Sequence, residues 1–237
     1  MENKSPDEAL AGTFTAGLAR RYALLTNYHA VSHPSLPNYL ALTSGSTWGI
    51  GDDNYHALPA GGIGKQLTDA GISWRAYMEG MQGDCRRNSG RYAVKHNPFA
   101  YYGGGCPRNV VAFDAFAADL SAGTPAFAWI TPDLCNDTHD CSVATGDAWL
   151  AKVVPQVTAT AAWRDGGLLL VTWDEGGGSD AGNRVATIVV TPQPRVHASA
   201  AQYDHYSLLA TVEDRLGVGR LGKAAGAQTF DEVLGRA

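Results

Sequence analysis

The sequence predicts an α/β chain built on a doubly wound, mostly parallel central sheet with helices on both faces, and two observations carry that prediction. Apolar runs of strand length recur at residues 72–77, 126–131, 168–173 and 186–191, each bounded by Gly, Pro or polar clusters. Stretches of helical periodicity alternate with them, at 36–44, 63–70, 109–121, 145–162 and 205–216. Strands that alternate with helices are the mark of a doubly wound sheet, in which sites form at the carboxyl ends of the strands.

Taken in order, the first helix is predicted to start at Ser35, an N-cap, with Pro37 tolerated in the first turn because its missing N–H would have no helical partner. The helix over 63–70 stops at Gly71 and the helix over 205–216 at Gly217, both glycines placed as C-caps. In Leu168-Leu169-Leu170-Val171-Thr172-Trp173 and Ala186-Thr187-Ile188-Val189-Val190 the hydrophobicity is nearly unbroken, so these strands are predicted to be covered on both faces. A length of 237 residues suits one domain with a sizeable core, and no internal repeat or low-complexity segment interrupts it.

Bulk charge narrows the partners. With 18 Lys and Arg against 23 Asp and Glu, the net charge of -5 gives no basic face for nucleic acid or a membrane surface, so phosphate recognition would have to be local. No apolar run is long enough for stable membrane insertion, and residue 1 is not followed by a hydrophobic signal core. The four cysteines fall into two local groups in polar, Gly- and Pro-containing surroundings, Cys85 with Cys106 and Cys135 with Cys141. That pattern predicts two disulfides in an oxidising compartment; free buried thiols are the alternative.

Three stretches hold chemistry. In His33-Pro34-Ser35-Leu36-Pro37-Asn38-Tyr39 a serine faces the positive end of a helix dipole, which favours an alkoxide and offers N–H groups to phosphate, although a plain cap needs no such role. Ser32 is the competing hydroxyl. Asp174 and Glu175 stand side by side after an apolar strand and before Gly176-Gly177-Gly178; such a pair suits a hard divalent cation, or else a solvated turn. The third stretch, Asp133 to Cys141, gathers Asp133 ahead of Cys135, and Asn136, Asp137, His139 and Asp140 between Cys135 and Cys141. His96 and His205 stand as single histidines, which are more often structural than catalytic.

These motifs together resemble the phosphoesterase family of bacterial acid phosphatases and phosphatidylcholine-type phospholipases C, within the alkaline-phosphatase-like superfamily. Six segments carry the likeness in order: Glu2-Asn3-Lys4-Ser5, residues 33–39, Lys95-His96-Asn97-Pro98-Phe99, Asn136-Asp137-Thr138-His139-Asp140, Thr172-Trp173-Asp174-Glu175-Gly176-Gly177, and residues 203–209. The resemblance implies that Glu2, Asn3, Ser35, Asp174 and Glu175 ligate metal, that Ser35 is the nucleophile, and that His96, His139 and His205 lie near the phosphoryl group or a second metal. Asp133, Asn136 and Asp137 complete the set for a second metal or for substrate. It implies one or two divalent ions, Mg, Ca, Mn or Zn, and a phosphoserine intermediate. Because the family's Glu-Asn pair follows its first strand, a strand, and with it an export signal, is expected upstream of residue 1, in a secreted or periplasmic protein. The expected activity is that of an acid-phosphatase-like phosphomonoesterase on small phosphate esters; a phospholipase C-type phosphodiesterase and a catalytically silent metal-binding member are the alternatives.

Overall fold

The computed structural model describes residues 1–177 and 182–235; Gly178, last of the predicted glycine run, lies outside the described residues. Strands β1 (Ala23–Leu25) and β2 (Tyr28–His29) come first, followed by β3 (Trp74–Met78), β4 (Val110–Ala112) and β5 (Phe127–Thr131), then β6 (Leu169–Thr172), β7 (Thr187–Val190), β8 (Ala198–Ser199) and β9 (Tyr203–Asp204). They form three sheets, ordered β4-β3-β5, β6-β7-β1-β8 and β2-β9. The α/β class is as predicted, whereas the parallel arrangement holds for only part of the molecule. β3 runs parallel to β4 and β5, but β7 is antiparallel to both β1 and β6. Between β6 and β7 no helix lies among the described residues, so the chain returns without the crossover that a parallel pair requires.

The helices α1 (Pro6–Ala9), α2 (Thr13–Arg21), α3 (Ser35–Ser44), α4 (Gly62–Asp69), α5 (Phe116–Ala122), α6 (Val143–Thr158), α7 (Ala161–Arg164), α8 (His205–Leu216) and α9 (Asp231–Leu234) pack around these sheets. Two predicted helices need correction. The stretch 109–121 opens as β4, because Val110 and Val111 pair with Ala76 and Tyr77 of β3; α5 begins only at Phe116. The stretch 145–162 divides after Thr158, where Thr160 Oγ1 accepts the Trp163 N–H at 3.1 Å and caps α7.

One apolar core lies between the β6-β7-β1-β8 sheet and α2 and α6, and a second between the β3 sheet and α3 and α4. β7 is buried along its whole length, as its composition predicts. β5 and β6 are not: Ala128 is exposed and Trp129, Ile130, Leu169 and Leu170 are half-buried. Each strand ends its sheet, and the two line opposite sides of an apolar slot of about 630 Å³. At the slot Met1 donates to Thr172 O at 3.2 Å and accepts from the Asp174 N–H at 3.0 Å, a parallel rung that carries Glu2 and Asn3 to the end of β6. Both predicted disulfides, Cys85–Cys106 and Cys135–Cys141, are present.

Candidate active site

Ser35 is the first residue of α3, one position past the N-cap, which is Pro34 rather than Ser35. Its side chain is therefore free of capping and is buried. Asn38 fixes the approach to it: its Oδ1 accepts the N–H groups of Val31 and Ser32 at 3.0 Å, and its Nδ2 donates to Ser32 O at 2.9 Å. Asp53 satisfies the next orphan amide of the helix, accepting from Leu36 N–H at 3.0 Å. At the far end Gly45 takes the left-handed conformation, φ 67°, and a Cβ there would come within 2.1 Å of Leu221 O.

Carboxylates surround the Ser35 hydroxyl. Its Oγ lies 3.2 Å from Glu2 Oε2 and 3.4 Å from Glu175 Oε1, although a single proton can serve only one of them. Glu2 is held from three further sides. Its N–H donates to Asp137 O at 2.7 Å, Thr138 Oγ1 donates to its carbonyl at 2.8 Å, and the Tyr39 hydroxyl donates to Oε1. Asn3, at φ 44°, turns its N–H onto Asp174 Oδ1 at 3.2 Å. His33 Nδ1 meets Glu175 Oε2. His96, stacked on Tyr39, lies between Glu2 and Asp137, with Nε2 3.2 Å from Glu2 Oε2 and Nδ1 3.1 Å from Asp137 Oδ2.

Burial and mutual charge set the protonation of this cluster. Burial opposes ionisation of Glu2, but the charge and contact of His96 outweigh it and bring the carboxyl down to about 2. Burial likewise pulls His96 down, and Glu2 and Asp137 overcome it, raising the imidazole to about 9. Asp174 is pushed well above the carboxylate range by burial, then by Glu2 and Glu175. Burial also raises Glu175, against the pull of His33.

The residues fit a divalent cation. Asn3 Oδ1, His96 Nε2, Asp137 Oδ2 and Asp174 Oδ2 are buried with no aligned hydrogen-bond partner among the described residues, a costly state for polar atoms unless something else satisfies them. Glu2, His96 and Asp137 each offer a ligand atom within 4.8 Å of the others. Oxygen donors with an imidazole suit Mg, Mn or Zn.

Other expected residues stand differently. His205 is buried with both nitrogens engaged, Nε2 donating to Asp174 O at 2.5 Å and Nδ1 accepting from Tyr28 OH at 2.9 Å; burial lowers it to about 4. It braces the backbone of Asp174 rather than facing Ser35. Asp133 accepts the N–H groups of Cys135 and Asn136, and Asn136 Nδ2 donates to Glu79, so of the acidic loop it is Asp137 that reaches the cluster. His139 lies at the rim, its ring 5.6 Å from that of His96. Ser32 Oγ donates to His33 O, away from the carboxylates. Sequence reasoning passed over His33, Tyr39 and Lys95, although all three lie inside the quoted motifs. Asp53 sits in a Gly-Asp loop without periodicity, and nothing local marks it.

A buried serine ringed by acidic residues on this α/β fold agrees with a hydrolase that acts on phosphate esters, the class to which the chain's family and relatives assign it. The chain belongs to the phosphoesterase family, whose sequence profile matches residues 8–219. It is 33% identical over 231 residues to a phosphatidylinositol-3-phosphatase of Mycobacterium tuberculosis, covering 94% of this chain and 75% of that protein. It is 30% identical to an acid phosphatase of Aspergillus fumigatus, covering 94% of this chain and 55% of the relative. The chain thus spans from just over half to three quarters of the length of these two relatives. Among solved structures, a Vibrio parahaemolyticus protein of the alkaline phosphatase superfamily superposes with a TM-score of 0.65 at 11% identity, over 93% of this chain and 66% of that one. A phosphonate monoester hydrolase of Silicibacter pomeroyi gives 0.61 at 13% identity, over 100% of this chain and 77% of that one. At such identities the likeness shows the fold alone.

Proposed function

We propose that the protein is a metal-dependent phosphomonoesterase that works through a phosphoserine on Ser35. The observation that carries this reading is the placement of the Ser35 hydroxyl between Glu2 and Glu175, beside four buried ligand atoms that have no aligned hydrogen bond among the described residues. A divalent ion held by Glu2, Asn3, Asp174 and Glu175 would balance their charge, lower the pKa of the Ser35 hydroxyl and polarise a phosphoryl oxygen. Ser35 Oγ attacks phosphorus, its proton passes to the neighbouring carboxylate, and the P–O bond to the alcohol breaks. His96, with Glu2 and Asp137, would hold a second ion, which would balance negative charge on the non-bridging oxygens. The alcohol departs with a proton, and water then releases inorganic phosphate and restores the serine.

The names of the relatives, an acid phosphatase and a phosphatidylinositol-3-phosphatase, support a monoester over a diester. Two disulfides favour action in an oxidising compartment, outside the cytoplasm. Hydrolysis of p-nitrophenyl phosphate, bis-p-nitrophenyl phosphate and p-nitrophenyl phosphorylcholine, each with Mg, Ca, Mn and Zn, tests the reading. Preferential turnover of the monoester with recovery of phosphoserine after acid quench is expected; diester turnover without a phosphorylated serine overturns it.

A further inference from the structure

A cavity of about 380 Å³ is lined in part by Asp53, Lys95 and His139, residues that adjoin the carboxylate cluster. Asp53 reaches the nucleophile's helix through Leu36 N–H and pairs with Lys95 Nζ at 2.9 Å. Lys95 Nζ lies 3.3 Å from His139 Nε2, and the His139 N–H donates to Asp137 Oδ1 at 2.7 Å. The volume is within the range of small-ligand sites. Another part of the cavity wall is Tyr55, which is 44% exposed yet fixed. Its hydroxyl donates to Ala100 O at 3.2 Å, and its ring rests against the buried Tyr101 at 5.1 Å between centroids. Arg86 also lines the cavity, immobilised by Asp84 and Gly104 O on a loop closed by the Cys85–Cys106 disulfide.

An aromatic ring held at its hydroxyl and supported by a second ring, yet still open to a cavity, offers contact area at little cost in ordering. We propose that this cavity receives the alcohol portion of the substrate and that Tyr55 selects phosphomonoesters of ring alcohols, whose ring packs against its own. The proposal rests on the phosphomonoesterase reading above. Aryl and alicyclic rings can both pack in this way, so phenyl phosphate and cyclohexyl phosphate serve as separate probes and ethyl phosphate as the ringless control. For Tyr55→Ala, KM for the ring esters is expected to rise about tenfold, the equivalent of one stacking contact of roughly 1.4 kcal/mol, with kcat little changed. The same variant should keep ethyl phosphate turnover and inhibition by inorganic phosphate within about twofold of the parent, and Tyr55→Phe should restore the ring preference. A rise for phenyl but not cyclohexyl phosphate assigns the site to aryl alcohols, and a rise for both assigns it to ring alcohols at large. If the parent hydrolyses all three esters and Tyr55→Ala alters none, or alters all equally, the cavity assignment falls while the phosphatase reading stands. If the parent hydrolyses none of them, both fall.

Discussion

Ser35→Ala removes the oxygen that would attack phosphorus while leaving every carboxylate around it in place. Turnover is expected to fall by several orders of magnitude, since the remainder can come only from binding and electrostatics. Metal content, read by mass spectrometry, should stay close to that of the parent. Ser32→Ala, whose hydroxyl points to His33 O, should keep most of its activity. The contrasting substitution is Asp174→Asn. Asp174 carries a buried Oδ2 with no hydrogen-bond partner among the described residues and accepts the Asn3 N–H through Oδ1, so the variant should lose metal and activity together, with partial recovery in excess metal. Full activity in Ser35→Ala at equal metal content would rule out the phosphoserine mechanism. Several of these residues were legible in the sequence because short motifs carry them. The role of His205 was not, because its two hydrogen bonds go to Tyr28 and Asp174, distant positions that spacing cannot relate.

The elements repeat that division between local and distant signals. β7 was legible because Ile188, Val189 and Val190 are apolar on both faces, and α8 because its period and its closing Gly217 agree. β1, β8 and β9 span two or three residues and exist through pairing across the chain, so nothing local announces them. Helix α3 depends on Gly45 for its exit. Gly45→Ala adds left-handed strain and a clash with Leu221 O, and about 2 kcal/mol or more of stability should be lost in denaturant titration. Helix α8 carries a pH dependence. Glu213 is buried, accepts the Leu221 N–H at 2.9 Å through Oε1 and has no partner on Oε2 among the described residues; burial, only partly offset by that bond, raises it to about 7. The unfolded chain releases this proton near pH 4.5 and the folded chain holds it to about 7. Its contribution is therefore complete below pH 4.5 and is lost as pH rises through 7. Glu213→Gln should flatten that loss, gaining more in melting temperature at pH 8 than at pH 5; an equal change at both would contradict it.

At the scale of the whole molecule, the slot between β5 and β6 has a consequence for colloidal behaviour. A sheet edge presents N–H and C=O groups in a row, and here two such edges meet over apolar side chains. Natural proteins guard such edges with lysine, proline or a bulge, yet β5 reads Phe-Ala-Trp-Ile-Thr and β6 Leu-Leu-Val-Thr, with no charge in either. In a chain of these 237 residues alone, the slot should therefore take up an added strand on warming, supplied by a neighbouring molecule, unless a segment leading into Met1, which already pairs with the end of β6, fills it first. Light scattering is expected to rise with protein concentration below the unfolding midpoint, together with binding of an apolar fluorescent dye. Ala128→Lys places a charge at an exposed position on this edge, in the body of β5. It should delay the scattering and keep the midpoint, so that the temperature at which the protein clouds is set by one strand and the temperature at which it unfolds by another part of the fold.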